Sequence, residues 1–242
     1  MGGNSRISSQ SGYAGADFTL SGAAFGLECR LSEKTVIGIA VGNSWGKVNT
    51  FSAFSVEQDS QHVGVYGNHS LSENLTLSWT LAQSRSENSA MLIGIPCDWV
   101  QDAWQAEARV TWNHRIGERT QMNAFAGVQY LSTDSAECIG LSTGELQNLR
   151  GEVGVGIAHG LTDRTTVYGE LSFIDDVVRS NPTANLSGYR TQGANPGRIG
   201  FSLSVGGACR LTEEWCVNGS YRIELMENAT SHSFNVGVGY SF

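Results

Sequence analysis

Strict alternation of side-chain type runs through the last twelve residues of the chain, Ser231–Phe242. One set of positions is apolar: Phe234, Val236, Val238, Tyr240 and Phe242. The positions between them are small or polar: Ser233, Asn235, Gly237, Gly239 and Ser241. Since successive side chains of a strand point to opposite faces, this stretch predicts a β-strand with one apolar and one polar face. The apolar face ends in two aromatic residues, Tyr240 and Phe242. Such an ending suggests that this face contacts a membrane.

The same alternation returns along the chain in pairs of strands joined by a short turn. Five related turn segments share the order of Cys or His, an aliphatic residue and then an acid: Cys29–Glu33, His69–Glu73, His114–Glu118, His159–Asp163 and Cys209–Glu213. Their spacings of 40, 45, 45 and 50 residues indicate one up-and-down hairpin per repeat.

Eleven strands are recognisable, and the connections opposite the short turns are mostly long. They are expected around 46–58, 85–98, 133–146 and 179–196, with a short one near 227–230. Short turns on one rim and long loops on the other are typical of outer-membrane barrels, which in bacteria have even strand numbers. We therefore predict an all-β fold, an antiparallel up-and-down transmembrane β-barrel of about 12 strands. Residues 21–242 form the barrel; residues 1–20 are a flexible segment or the remnant of a first strand that is otherwise cut away.

Composition removes several other classes of protein. No apolar run reaches the roughly 18 residues that a membrane-spanning helix needs. A net charge of −8 argues against a nucleic-acid partner, which selects a basic surface. The five cysteines form no C-x-x-C pair, so neither a metal site nor a cofactor is predicted. The start lacks the basic and apolar regions of a signal peptide, which leads us to expect an N-terminal part outside this sequence.

The glycine-punctuated segment Gly26–Gly42 and the closing Gly237–Phe242 resemble the translocator domain of classical autotransporters, the barrels of type V secretion in Gram-negative bacteria. The resemblance implies a protein of the cell outer membrane that anchors and exports a covalently linked N-terminal passenger, absent from this chain. It also implies that a linker helix threads the lumen. The C-terminal residues Phe234, Val236, Val238, Tyr240 and Phe242 would be the signal that the barrel-assembly machinery reads.

Charged side chains occupy the polar face of the predicted strands, which lines the lumen in a barrel. They are Glu28, Arg30, Glu107, Arg109, Arg115, Arg150, Glu152, Glu170, Arg198, Arg210, Arg222 and Glu224. These charges are expected in the lumen because an Arg facing lipid costs ~2–4 kcal/mol at mid-membrane. Since positive and negative residues are nearly equal in number, we predict a network of ion pairs across the lumen. The network either holds and guides the linker helix or fills and solvates a narrow lumen.

Cys97 and Cys138 fall in neighbouring long loops, where an extracellular disulfide is compatible with the sequence. His69, His114 and His159 occupy equivalent places in successive hairpins, so they ring one rim and do not converge on a metal. No nucleophile motif accompanies the acids and histidines at the loop edges, and no enzyme activity is predicted. Two other functions remain open: a free-standing outer-membrane pore or adhesin acting through its loops, and a secreted all-β protein whose apolar bands need a second layer.

Overall fold

The computed structural model describes residues 1–9, 15–50, 55–92, 94–138, 141–180, 183–186, 189–192 and 195–242. Every regular element in these ranges is a β-strand. Within the same ranges, there is no helix long and apolar enough to cross a bilayer. The prediction of β-strands from the alternating sequence is therefore confirmed. Side chains alternate between the two faces of a strand, so one face can contact a core or lipid and the other can contact water.

Twelve strands form a closed antiparallel barrel. They are β1 (Gly2–Ile7), β2 (Ala16–Ser32), β3 (Thr35–Thr50), β4 (Ser55–Ser70), β5 (Leu75–Leu92), β6 (Ile95–Arg115), β7 (Thr120–Thr133), β10 (Leu146–Gly160), β11 (Thr165–Arg179), β14 (Ile199–Arg210), β15 (Trp215–Met226) and β16 (Ala229–Tyr240). The remaining four strands are β8 (Ala136–Cys138), β9 (Leu141–Thr143), β12 (Thr183–Leu186) and β13 (Tyr189–Gln192), and they form a separate sheet in the order β13-β12-β9-β8. This small sheet joins two connections on the long-loop side of the barrel.

The twelfth barrel strand lies within residues 1–20. Strand β1 is six residues long and pairs with β16 on one side and β2 on the other. Its sequence, Gly-Gly-Asn-Ser-Arg-Ile, has no apolar alternation. Because two neighbouring strands supply its hydrogen bonds, the strand forms without that pattern. Strand β2 begins at Ala16, so the segment predicted as flexible or remnant contributes two stretches to the barrel.

Burial in this barrel is reversed relative to a water-soluble domain. Among the side chains that the structure describes, the buried apolar set is small and consists of Ala16, Cys97, Phe125, Ala136 and Ile174. Large apolar side chains instead cover the outside, for example Phe25, Leu27 and Val238, each more than half exposed. In the part of the chain described, no second layer covers this surface. An outer face of this kind matches lipid and would be unstable in water.

Aromatic residues mark both ends of the apolar belt. Trp112, Trp215 and Tyr240 lie near the short turns. Trp45 and Trp104 lie eight or more residues away from the short turns of their own hairpins, toward the other rim. The rings of Trp215 and Tyr240 contact each other, with centroids 4.9 Å apart. Such girdles are expected where a barrel meets the two interfaces of a bilayer.

Two of the predicted long loops are hairpin extensions. Strands β3 and β4 stay paired up to Asn49 and Ser55, and β5 and β6 up to Leu92 and Ile95. The prediction of loops at 46–58 and 85–98 is therefore wrong for most of those residues. Outside the bilayer both faces of a strand meet water, so polar residues on both faces conceal the period that identifies a strand. The β5–β6 turn includes Gly94 at φ 79°, a conformation that favours glycine.

A bulge interrupts the pairing of β10 with β11. Leu149 pairs with Val178, but the next residue, Arg150, pairs with Asp176, so Val177 has no partner in the register. The extra residue reverses the face of everything beyond it. Val177 and Val178 both lie exposed as a result, and Arg179 turns to the lumen side opposite Asn148.

Candidate functional site

The lumen has two different walls. Residues with lumen parity are those whose side chains, by alternation along a strand, point into the barrel. On β6, β10, β11 and β15 they include most of the charged side chains that face the lumen. On β2 and β3, lumen parity falls mainly on small residues such as Ala24, Gly26, Gly38, Ala40 and Gly42. Strands β2 and β3 stand opposite β10 and β11 in the twelve-strand ring. The lumen is therefore an asymmetric passage with a charged wall facing a small-residue wall.

Arg150 is the centre of the charged wall. Its Nε donates to Asp176 Oδ1 over 2.7 Å, and its Nη1 donates to Glu224 Oε2 over 3.1 Å. The Asp176 side chain is fully buried, and its other oxygen accepts from Arg179 Nη1 at 3.2 Å. The bulge at Val177 makes this second contact available by moving Arg179 to the lumen side. One buried carboxylate is thus held between two guanidinium groups.

A second set of contacts joins β15 to β10. Arg222 Nη2 donates to Glu152 Oε1 over 3.0 Å. Arg222 Nε also lies 3.0 Å from Glu224 Oε1, within ion-pair range but without hydrogen-bond alignment. Glu152 accepts in addition from the Ser172 hydroxyl, which contacts the Ser202 hydroxyl at 2.7 Å. Because β11 and β14 separate β10 from β15, these contacts bridge over two intervening strands.

Arg109 on β6 extends the charged wall to the other side of β10. Its Nη2 donates to Glu170 Oε1 over 2.8 Å, and its Cζ lies 3.5 Å from the ring centroid of Phe125. Phe125, on β7, is one of the few buried apolar side chains. The guanidinium is therefore held by a carboxylate and by the face of an aromatic ring, both of which attract a cation.

Several predicted lumen residues join this network and others lie apart from it. The members are Arg150, Glu152, Arg222 and Glu224, and Arg109 and Glu170 form a separate ion pair in the same wall. Glu28, Arg30, Glu107, Arg115 and Arg210 have lumen parity, and in the described part of the chain none of them forms an ion pair within 4.0 Å. Arg30, Arg115 and Arg210 lie next to the short turns.

The placement of Arg198 in the lumen is wrong. Arg198 precedes β14, and its guanidinium donates 2.6 Å and 3.0 Å hydrogen bonds to Asp175, a residue on the outward face of β11. Its side chain is 62% exposed. Strand parity does not constrain a residue outside the strand, so the nearest carboxylate decides where this side chain lies.

Two members of the network, Asp176 and Arg179, are not among the predicted residues. Asp176 has lumen parity, but two adjacent acidic residues, Asp175 and Asp176, are typical of the end of a strand at a loop. Strict alternation along β11 would place Arg179 on the outward face, and only the bulge at Val177 turns it toward the lumen. A run of two acids followed by two valines and an arginine within one strand is the signal in the sequence that alternation fails there.

The predicted C-terminal set lies together on the outside. Phe234, Val236, Val238, Tyr240 and Phe242 are all exposed on the face that carries the apolar belt. The ring of Phe242 packs against the ring of Tyr240, with centroids 5.5 Å apart. These residues form one continuous apolar strip along β16 and beyond it.

Cys97 and Cys138 are bonded to each other, with Cα atoms 5.8 Å apart. The bond joins β6, in its extension beyond the belt, to β8 of the small sheet, and Cys97 is fully buried. Cys29, Cys209 and Cys216 are free thiols. The described residues contain no group of three or more His, Cys, Asp or Glu that could hold a metal ion.

An inside-out barrel with short turns on one rim and a polar, charged lumen defines an outer-membrane β-barrel. The profile of the family described as Autotransporter beta-domain matches residues 1–222, so the chain belongs to that family. The protein is an outer-membrane β-barrel translocator, as predicted from the resemblance.

Solved structures of three autotransporter barrels have the same fold as this chain. The translocator domain of autotransporter NalP from Neisseria meningitidis superposes with a TM-score of 0.81 at 16% identity, covering 100% of this chain and 86% of that one. The transport unit of AIDA-I from Escherichia coli gives 0.81 at 16% identity, with 100% and 88% covered. The beta domain of Bordetella BrkA gives 0.74 at 16% identity, with 100% and 99% covered. No curated protein sequence gives a significant match.

Proposed function

We propose that the lumen holds the segment that connects an N-terminal passenger to this barrel, and that it does so along the small-residue wall. The supporting observation is the asymmetry of the lumen. Charged side chains extend from β6, β10, β11 and β15, whereas Ala24, Ala40 and Gly42 add little volume to the opposite wall on β2 and β3, next to the Tyr66 ring that packs on Gly38. A polypeptide needs room for its backbone, and small residues allow the closest approach.

The charged wall then acts as a fixed partner on the other side of the segment. Its arginines and carboxylates are held by one another, so they present oriented charge without having to reorganise. Glu107, exposed in the lumen, adds a carboxylate that no described cation binds. This arrangement suits a segment that directs polar or basic side chains toward the charged wall and small side chains toward the small-residue wall. The role requires no catalysis.

Passenger display tests the proposal with two neighbouring residues of β3. Ala40→Trp places a large ring on the small-residue wall, and Ile39→Trp places the same ring on the lipid face. With a reporter passenger and a signal sequence fused ahead of the chain, we expect Ala40→Trp to reduce protease-accessible passenger at the cell surface by about tenfold, a barrier change of ~1.4 kcal/mol.

Ile39→Trp is expected to leave display unchanged. Both variants must retain the heat-dependent gel shift of a folded barrel, which separates a blocked lumen from a misfolded one. Equal display by the two folded variants would contradict the proposed path of the segment.

We further propose that the apolar strip of β16 that ends at Phe242 is what the barrel-assembly machinery reads. Support comes from its exposure, since all five residues lie outside the barrel at the chain end. Phe242→Ala is expected to lower the amount of barrel inserted into the outer membrane of cells while leaving refolding in detergent intact. Ser241→Ala is the matched control. Unchanged insertion of Phe242→Ala would remove Phe242 from this role.

A further inference from the structure

Two contacts between neighbouring hairpins at the short-turn rim have the same composition. In the first, Thr35 Oγ1 lies 2.9 Å from His69 Nδ1. In the second, Thr120 Oγ1 lies 2.9 Å from His159 Nδ1. Each threonine begins a strand, β3 or β7, and lies directly opposite its histidine near the end of the neighbouring strand, β4 or β10. The threonine that follows one turn therefore orients the imidazole that precedes the next.

A basic residue comes immediately before each threonine. The Lys34 carbonyl accepts from the Ser70 N–H and the Arg119 carbonyl from the Gly160 N–H, each over 2.8 Å, so each basic residue lies beside the end of the neighbouring strand. Arg119 also donates to Asp163 over 3.0 Å in an exposed pair, whereas Lys34 forms no ion pair within 4.0 Å in the described chain. We name these clusters rim site 1 (Lys34, Thr35 and His69) and rim site 2 (Arg119, Thr120 and His159).

Both rim sites lie on the outward face of the barrel, near the edge of the apolar belt. Thr35 has the parity of the exposed Ile37, and His159 has the parity of the exposed Ile157. Aromatic residues such as Tyr240 mark the same end of the belt. Because the short turns of outer-membrane barrels face the periplasm, this depth corresponds to the headgroups of the periplasmic leaflet.

We propose that each rim site binds the phosphate of an anionic glycerophospholipid, such as phosphatidylglycerol, in that leaflet. When the threonine hydroxyl donates to Nδ1, the imidazole carries its proton on Nε2, which then donates to a phosphate oxygen. The lysine or arginine supplies the positive charge that attracts the phosphate. The acyl chains of the lipid then lie along the exposed aliphatic side chains of the belt. This site is outside the barrel, so it does not depend on how a passenger segment lies in the lumen.

His114, at the equivalent place in the hairpin between the two rim sites, lacks both partners. The turn residue beside it is the uncharged Asn74, whose carbonyl accepts from the Asn113 N–H over 2.7 Å. Leu75 follows where the rim sites have threonine, and it pairs with Trp112. The His114 ring stacks on the Trp112 ring, with centroids 5.4 Å apart. The chain thus contains its own control, an outward histidine at the same rim that is not expected to bind phosphate.

NMR of the imidazole rings in the refolded barrel tests the proposal, because the chain has five histidines and substitution of each by Phe assigns its signal. Phosphatidylglycerol is added to the detergent micelles. We expect saturable shifts at His69 and His159 and no shift at His114. Dioleoylglycerol, which has acyl chains and no phosphate, is the control lipid and is expected to shift none of the three.

The contribution of the cation is tested with the two lysines of the chain. Lys34→Gln is expected to weaken phosphatidylglycerol binding at His69 about tenfold and to leave His159 unchanged. Lys47→Gln makes the same change near the other end of β3, where Lys47 pairs with Glu57, and is the matched control. Both variants must retain the heat-dependent gel shift of a folded barrel.

The proposal is overturned if His114 titrates with the same midpoint as His69, or if dioleoylglycerol produces the same shifts. Equal affinity of the folded Lys34→Gln and Lys47→Gln variants would also overturn it, since the cation would then have no role. Inorganic phosphate that shifts His69 and His159 at the same concentration as the lipid would assign the clusters to a free anion and not to the membrane.

Discussion

The two walls of the lumen differ in how they are stabilised. The charged wall on β6, β10, β11 and β15 depends on pairs of side chains from distant strands, so each member requires its partner. The small-residue wall on β2 and β3 depends on backbone pairing and on the absence of side-chain volume. A charge removed from one wall and a methyl group added to the other therefore destabilise the barrel for different reasons.

The largest effect is expected for Arg150→Met, which preserves length and removes charge. It leaves the fully buried Asp176 with Arg179 alone and Glu224 with Arg222 alone. Loss of one partner from a buried ion pair costs ~3–5 kcal/mol of unfolding free energy. Urea unfolding of the barrel in detergent measures this loss. Arg115→Met, at an exposed lumen position with no described ion pair, is the control, and equal midpoints for the two variants would refute the special role of Arg150.

A moderate effect is expected for Gly38→Val on the opposite wall. The Tyr66 ring packs against this glycine, and a Cβ atom there would overlap Tyr66 Cζ. Overpacking of this kind costs ~1–3 kcal/mol. The same substitution in a Tyr66→Ala background removes the obstacle, so unfolding measurements should show a smaller loss there. An identical loss in both backgrounds would mean that Tyr66 is not the cause.

The smallest effect is expected for Asp175→Asn, which removes the ion pair with Arg198 outside the lumen. The Arg198 side chain is mostly exposed, and ion pairs at a surface contribute little to stability because water and salt screen them. We expect the unfolding midpoint to move little at low salt and not at all at high salt. A loss as large as that of Arg150→Met would show that the rim and the charged wall are not energetically distinct.

Apolar alternation identified the strands that cross the bilayer. Phe25, Leu27, Val236 and Val238 lie on the lipid face as the pattern predicts, because lipid on one side and a polar lumen on the other enforce the period of two. The same rule placed most of the predicted charges toward the lumen. It needs no knowledge of which strand pairs with which.

Alternation fails where the environment is the same on both faces or where the backbone changes register. Strand β1 has no apolar residue before Ile7 and exists because β2 and β16 flank it. The extensions of β3 to β6 meet water on both sides. Arg179 reaches the lumen only through the bulge at Val177. In each case a tertiary contact, and not the local pattern, decides the structure.

We infer that lipid contacts one face of strand β3 and that a polypeptide-conducting lumen lies on its other face. Thiol labelling of Ile39→Cys and Ala40→Cys tests it most directly, in a chain whose free Cys29, Cys209 and Cys216 are replaced by Ser and which is reconstituted in lipid vesicles. We predict that a membrane-impermeant maleimide labels Ala40→Cys and not Ile39→Cys, and that a passenger segment fused ahead of the chain protects Ala40→Cys. Labelling of Ile39→Cys, or Ala40→Cys labelling that the fused segment does not change, would contradict the account.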